Sequence, residues 1–182
     1  MRALITLGAP HAGVETLATC PDPVSQQTGI CRAASAIASL GEHPSLAQSQ
    51  LVPAQYFKNR CMLSQYRLQS SFLPTLNCET ACPPLYRQRL QQLRRFSLVR
   101  FEHDSVLTPS DSAHFQSFDD TAQHINISSC PNLHDGLGLG LLFDQGRLRF
   151  INAPFEHTQF TRNFLKNVVI SELNVTAADV TL

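Results

Sequence analysis

Asp104 and His157 are the two residues whose types and positions are best suited to chemistry. Each comes shortly after an apolar run, residues 96–101 before the aspartate and residues 147–151 before the histidine. Functional side chains of α/β sheets collect beyond the carboxyl ends of the strands, so residues that follow two different strands can meet there. An aspartate that holds a histidine ring lets the histidine act as a general base toward a hydroxyl nucleophile. The spacing therefore predicts the acid and the base of a hydrolytic site.

Simpler roles account for both residues on spacing alone. An aspartate after a strand, followed by serine and then proline, commonly forms a turn or caps a helix. A single histidine near a helix start is commonly a surface or capping residue. Other side chains also compete: Asp111, Asp119 and Asp120 for the acid, and the six further histidines for the base.

The elements that must position these residues alternate between strands and helices. Residues 3–7, 96–101 and 147–151 are short apolar runs that predict buried strands. Residues 44–84 mix apolar clusters with polar residues and prolines, which is typical of short helices and loops. Strands separated by helices indicate an α/β fold with a parallel sheet. Helices are predicted over 31–40, over 84–95 with Leu85, Leu90 and Leu93 on one face, and over 158–173 with Phe160, Phe164, Val168 and Val169 on one face.

The composition is that of one folded domain and argues against two classes of partner. The chain has 182 residues, of which 43% are hydrophobic and 15% charged, and its 14 basic residues balance 14 acidic ones. This length allows a buried core, and zero net charge gives no field that would attract nucleic acid. No apolar run approaches the roughly 20 residues of a membrane helix. We therefore predict neither a nucleic-acid partner nor a transmembrane segment.

Six cysteines and two glycosylation sequons favour an oxidising, secretory or lysosomal environment. The sequons begin at Asn126 and Asn174. Cys20 and Cys31 enclose a short loop and are the first pair expected to form a disulfide. The pairing of the other four cysteines stays open: Cys61, Cys78, Cys82 and Cys130. A local bond among the first three of them is one option. We predict no metal at Cys78-x-x-x-Cys82, which is only half of a zinc motif.

Gly136-x-Gly138-x-Gly140 is a glycine run that could suggest a nucleotide loop. Its spacing differs from the G-x-G-x-x-G of dinucleotide-binding proteins. We also expect the run to precede a strand rather than to open a helix after one. No cofactor is therefore predicted.

Several segments of the chain resemble the lysosomal palmitoyl-protein thioesterase family. Residues 2–14, RALITLGAPHAGV, are similar to the strand and turn after the nucleophile of lipases and thioesterases. The likeness continues in order through 20–31, 51–57, 70–77, 86–115 and 136–157, and HDSVLTPSDS is its most specific part. The resemblance implies the C-terminal portion of an α/β-hydrolase fold. Residues 1–182 would then be one partial domain, with 44–84 as an inserted helical region over an acyl groove.

The same resemblance implies roles for individual residues. Asp104 is similar to the family's catalytic acid, His157 to its catalytic base, and the Cys20–Cys31 loop to a family disulfide. The implied substrates are S-acylated proteins or peptides, whose fatty acyl chain would lie in the groove. His11 is interpreted as a structural hydrogen-bonding residue. Candidates for the groove lining, with ordinary core packing as the alternative, are Leu51, Tyr56, Phe57, Phe72 and Leu73.

The nucleophile that should accompany this pair does not occur in the sequence. Among the eight glycines only Gly136 and Gly140 stand four apart, and Gly138 lies between them, so no Gly-x-Ser-x-Gly is present. We expect a chain that carries only the acid and the base, is inactive alone, and lacks the signal peptide of a longer lysosomal or secreted parent. Two alternatives stay open: another lipase or esterase of this fold, and a non-catalytic secreted module that binds lipid or protein.

Overall fold

A computed structural model of the chain describes residues 2–15, 52–58, 63–118, 124–125 and 136–174, and every structural statement below concerns these residues. The strands are β1 (Ala3–Leu7), β2 (Arg95–Phe101), β3 (Ser117–Phe118), β4 (His124–Ile125) and β5 (Leu148–Ala153). The helices are α1 (Leu63–Gln69), α2 (Leu73–Leu76), α3 (Pro84–Gln91) and α4 (Leu139–Asp144). Two 3-10 turns cover Val52–Tyr56 and Ser110–His114. The C-terminal helix consists of Arg162–Phe164, a π turn over Leu165–Val169, and Ile170–Leu173.

Some predicted features lie outside the described residues. They are the helix at 31–40, the Cys20–Cys31 pair, Leu51, Cys61, Asp119, Asp120, Asn126 and Cys130. None of the described helices has the length and apolar character of a membrane span.

A parallel sheet with the order β1-β2-β5 forms the centre of the described structure. Leu4 lies opposite Phe96 in β2, and Phe96 lies opposite Leu148 in β5. The central strand β2 is buried on both faces, as expected for a strand covered on two sides. The three predicted strands and their parallel arrangement are thus confirmed. The third strand begins and ends later than predicted, because its pairing with β2 continues to Phe101 opposite Ala153.

The two faces of this sheet support two apolar clusters, because successive side chains of a strand point to opposite sides. Phe96 and Leu98 of β2 pack on one face, and Val99 and Phe101 pack on the other. The first cluster is completed by Leu93, Phe115, Leu137, Leu139, Leu142 and Leu148. The second is completed by Ala153, with Phe155, Phe160 and Phe164 packed against it.

Helix α3 differs from the predicted amphipathic helix. It begins at Pro84 as expected but ends at Gln91, and none of its residues is buried. Leu85 is 58% exposed, and Leu93 is buried only beyond the end of the helix. The helix stops because the next segment is drawn into the sheet, where the amide of Arg94 donates to the carbonyl of Arg2.

The C-terminal helix begins later than predicted. Thr158 has a positive φ of 57°, which is incompatible with a regular helix at that point. The helix starts after Thr161, whose side chain accepts a hydrogen bond from the amide of Phe164 and so caps the first turn. Phe164, Val168 and Val169 are half-buried, as the predicted apolar face requires.

The glycine run also differs from its prediction, because it opens a helix. Gly138 has φ +73° and is the N-cap of α4, which precedes β5. The positive φ favours glycine at this position, whereas a Cβ there would meet only the mobile end of the Gln91 side chain at 2.7 Å and Arg87 at 3.3 Å.

Within residues 44–84 the described part consists of short helices and turns, as predicted. A parallel bridge joins Val14 to Phe57 and ties this region to the turn after β1. Gly13 permits the close approach, since a Cβ on it would lie 2.7 Å from the Tyr56 carbonyl oxygen. Cys78 and Cys82 form a disulfide, which settles one of the open pairings.

Candidate active site

Asp104 and His157 come together beyond the carboxyl ends of the two best-paired strands. Asp104 follows β2 and His157 follows β5, and the ladder between these strands ends at Phe101 opposite Ala153. His157 Nδ1 lies 2.8 Å from Asp104 Oδ2. Adjacent strands thus deliver the two predicted residues to one point, at the distance of a charge-assisted hydrogen bond.

The Asp104 side chain is completely shielded from solvent. Its Oδ1 accepts hydrogen bonds from the amides of Val106 at 3.0 Å and Leu107 at 2.7 Å, while Oδ2 faces His157. The residue therefore closes a turn with one carboxylate oxygen and contacts the histidine with the other. Three acceptor bonds satisfy a buried charge that would otherwise be costly.

The His157 ring is oriented by this contact. Because an ionised carboxylate can only accept, the proton on the ring must sit on Nδ1, which leaves Nε2 as the basic nitrogen. The side chain is 20% exposed, and no described residue hydrogen-bonds to Nε2. The ring packs edge-on against Phe101, with centroids 6.2 Å apart, and Phe101 stacks on Phe160. A fixed ring with an available Nε2 can take a proton from a hydroxyl.

Glu156 is a residue of this site that sequence reasoning missed. Its Oε1 accepts from the amide of Ser105 at 2.7 Å, from the Ser105 hydroxyl at 3.0 Å, and from the amide of His157 at 2.8 Å. The His157 amide, and next the Ser105 amide, lower the pKa of Glu156 below its ordinary value. Its position beside His157 was the only available signal, since Ser105 lies 51 residues away in sequence.

The competing acid and base have other partners. Asp111 pairs with Arg100. His114 is buried, and its Nε2 contacts the carbonyl oxygens of Leu98 at 3.1 Å and Ile151 at 3.2 Å, which joins β2 to β5. Burial lowers the pKa of His114 and favours its neutral form.

His11 lies in the turn after β1. Its Nε2 is 2.9 Å from Thr6 Oγ1, and its ring stacks on Phe115 with centroids 4.3 Å apart. Its carbonyl oxygen accepts a hydrogen bond from the Asn77 side chain at 2.7 Å. These contacts tie the turn to the sheet and to the end of α2.

The described candidates for the acyl groove, Tyr56, Phe57, Phe72 and Leu73, differ in their exposure to solvent. The rings of Tyr56 and Phe72 are in contact, with centroids 5.3 Å apart, and Phe72 is 41% exposed. Phe57 is half-buried beside the bridge to Val14, and Leu73 is 1% exposed and packs in the core.

A cavity of about 280 Å³ borders the first apolar cluster, which contributes Phe96, Phe115 and Leu137 to its wall. Its wall includes Leu4 and Phe96, near the starts of β1 and β2, and none of the groove candidates that the structure describes. The remaining lining residues are His11, Leu76, Asn77, Tyr86, Arg89 and Leu90.

No cluster of three or more potential metal ligands occurs among the described residues. Cys78 and Cys82, which could have been half of a metal site, bond to each other.

Comparison with known proteins identifies the family of this chain. A family model described as palmitoyl protein thioesterase matches residues 1–157. Palmitoyl-protein thioesterase 1 of Caenorhabditis elegans is 28% identical over 176 residues, which cover 94% of this chain and 57% of that protein. A palmitoyl-protein thioesterase-dolichyl pyrophosphate phosphatase fusion of Schizosaccharomyces pombe is 33% identical over 163 residues, which cover 87% of this chain and 25% of the fusion. The chain thus spans little more than half of the worm relative and a quarter of the yeast one, and it belongs to the palmitoyl protein thioesterase family.

Proposed function

We propose that residues 1–182 are the C-terminal portion of an α/β-hydrolase domain that cleaves fatty acyl thioesters on protein cysteines. The observation that carries this is the 2.8 Å contact between His157 Nδ1 and Asp104 Oδ2 at the ends of adjacent parallel strands. Membership of the thioesterase family supports the reaction class. Asp104 serves as the catalytic acid partner and His157 as the general base.

The reaction follows from this arrangement. A serine hydroxyl attacks the thioester carbonyl while His157 Nε2 takes its proton, and Asp104 stabilises the imidazolium that forms. His157 then gives the proton to the departing cysteine sulfur, which leaves a fatty acyl ester on the serine. Water, deprotonated by the same nitrogen, releases the fatty acid and restores the serine.

The serine and the oxyanion donors come from a segment that precedes residues 1–182 in the longer enzyme. The 182 residues contain no Gly-x-Ser-x-Gly, so this chain alone turns over no substrate. Loss of the nucleophile alone lowers the rate by several orders of magnitude.

Residues 44–84 act as the inserted region over the acyl chain. The exposed ring of Phe72, in contact with Tyr56, supports this role by offering an apolar surface. Each methylene that such a surface buries contributes about 0.8 kcal/mol. S-acylated proteins or peptides are the partners.

The longer parent is lysosomal or secreted. The Cys78–Cys82 disulfide fits an oxidising compartment. Asn174 is exposed at the end of the C-terminal helix, where a glycan could be attached.

The experiment uses a protein in which residues 1–182 follow a nucleophile segment. That segment is either the upstream part of the same reading frame or the part of the worm relative that the match leaves out. We expect hydrolysis of a palmitoyl-cysteine peptide thioester, and no hydrolysis by the 182 residues alone. Faster cleavage of a triglyceride than of the thioester would instead indicate a lipase or esterase. Absence of both activities in a folded protein would favour a binding module.

A further inference from the structure

The loops that carry Asp104 and His157 are joined by one carboxylate oxygen. Glu156 Oε1 accepts two hydrogen bonds from Ser105, next to Asp104, and one from the amide of His157. We propose that Glu156 is a positioning residue, which holds these two loops together and so sets the geometry of the acid and the base. The catalytic effect of Glu156 rests on the proposed function, whereas the link between the two loops does not.

The need for such a link arises where the sheet ends. Beyond the last ladder pair, the amide of Glu102 still donates to Ala153 at 2.9 Å, and that of His103 to Phe155 at 3.2 Å. No described backbone bond joins the two loops after this point. Beyond the last backbone hydrogen bond, Glu156 therefore links the loop of Asp104 to the loop of His157.

The chemistry of the link suits a rigid position. Amide donors to an ionised carboxylate form charge-assisted bonds, which are stronger and more directional than neutral ones. The lowered pKa of Glu156 has the same cause, since the two amides favour the charged form. The Glu156 side chain is partly exposed to solvent, so we expect the link to matter more for geometry than for stability.

The effect on the reaction follows from the position of the bond. The amide of His157 is held by Glu156 while its ring is held by Asp104, so both ends of this residue are fixed. A displacement of about 1 Å at a reacting group can lower a rate by a factor of about 100. Loosening the loop should therefore reduce kcat while leaving substrate binding unchanged.

The test compares Glu156→Met with Glu156→Gln, which have similar size but differ in the acceptor oxygen. Glu102→Met is the matched control, because Glu102 is an exposed glutamate at the same rim and its side chain makes no hydrogen bond to a described residue. The first readout is the hydrogen-bonded Nδ1 proton signal of His157 in NMR spectra of the 182-residue chain. The second is kcat and KM for the palmitoyl thioester in the longer protein described above.

We expect Glu156→Met to lose the proton signal and to lower kcat by about tenfold to a hundredfold at unchanged KM. Glu156→Gln should restore the signal and keep kcat within about threefold, since a neutral oxygen still accepts. A retained signal in Glu156→Met would overturn the inference. So would a glutamine variant no better than methionine, or a thermal unfolding midpoint far below that of Glu102→Met. Failure of the proposed function is separate, because it shows as no thioester hydrolysis by the longer protein, as faster cleavage of a triglyceride, or as full turnover without Asp104 or His157, whereas the NMR readout needs no activity.

Discussion

Gly8, at the end of β1, lies directly against Phe101 and Asp104 at the end of β2. It has φ +56°, and a Cβ added to it would lie 2.8 Å from the Phe101 ring and 3.4 Å from Asp104 Oδ2. All three strands thus contribute to the site, the first of them through a glycine rather than a reactive side chain.

We expect Gly8→Ala to destabilise the fold by about 1–3 kcal/mol through backbone strain, with a further loss from the contact with Phe101. Gly146→Ala is the control, because Gly146 also has a positive φ of 63° but no atom within 4 Å of its added Cβ. Urea unfolding of both variants separates the cost of backbone strain from the cost of the contact with Phe101. Equal losses would show that the space beside Asp104 is not restricted.

The buried ion pair of Lys58 and Glu79 should stabilise the short helices before β2 only as a pair. Lys58 Nζ lies 3.0 Å from Glu79 Oε1, and both side chains are nearly inaccessible to solvent. Burial lowers the pKa of Lys58, while Glu79 opposes that change. Removing one partner of such a pair typically costs about 3–5 kcal/mol, because the other charge stays buried.

We therefore expect Lys58→Met to lower the free energy of unfolding more than the double change Lys58→Met with Glu79→Gln. Urea titrations of the two variants measure the difference. If the double variant were less stable than the single one, the two side chains would not depend on each other.

The pH dependence of stability should carry a contribution from His114. Burial lowers the pKa of His114 from the ordinary 6.5, and Arg100 adds a smaller effect in the same direction. Hydrogen bonds to the carbonyls of Ile151 and Leu98 and the charge of Asp111 act to raise the pKa, but the net shift is downward. Below 6.5 the unfolded chain therefore binds more protons than the folded one. Stability is complete above that pH and falls as the pH drops toward the lowered pKa.

We expect the unfolding free energy to fall more steeply between about pH 7 and about pH 5 in the native chain than in His114→Gln. His103→Gln, which changes an exposed histidine at the rim, should keep the native slope. Identical slopes in all three proteins would remove His114 from this role.

Sequence reasoning located Asp104 and His157 because each follows a short apolar run, and the ends of parallel strands meet. It did not find Glu156, whose partner Ser105 becomes a neighbour only when β2 and β5 pair. It placed the end of α3 too late, since the Arg94 amide bond to Arg2 is a tertiary contact with no local signal. For Leu73 the sequence left groove lining and core packing open, because the contact with Gly13 that accompanies its burial is a tertiary one.

Asp104 and His157 should work as one unit, and a double-mutant cycle measures whether they do. In the longer protein, we expect Asp104→Asn and His157→Ala each to lower kcat by at least about a thousandfold, and the double variant to be no slower than His157→Ala. Asp144→Asn and His103→Ala change exposed residues of the same types and should leave kcat within about twofold. Near-normal turnover in either single variant, or losses that multiply in the double variant, would contradict the account.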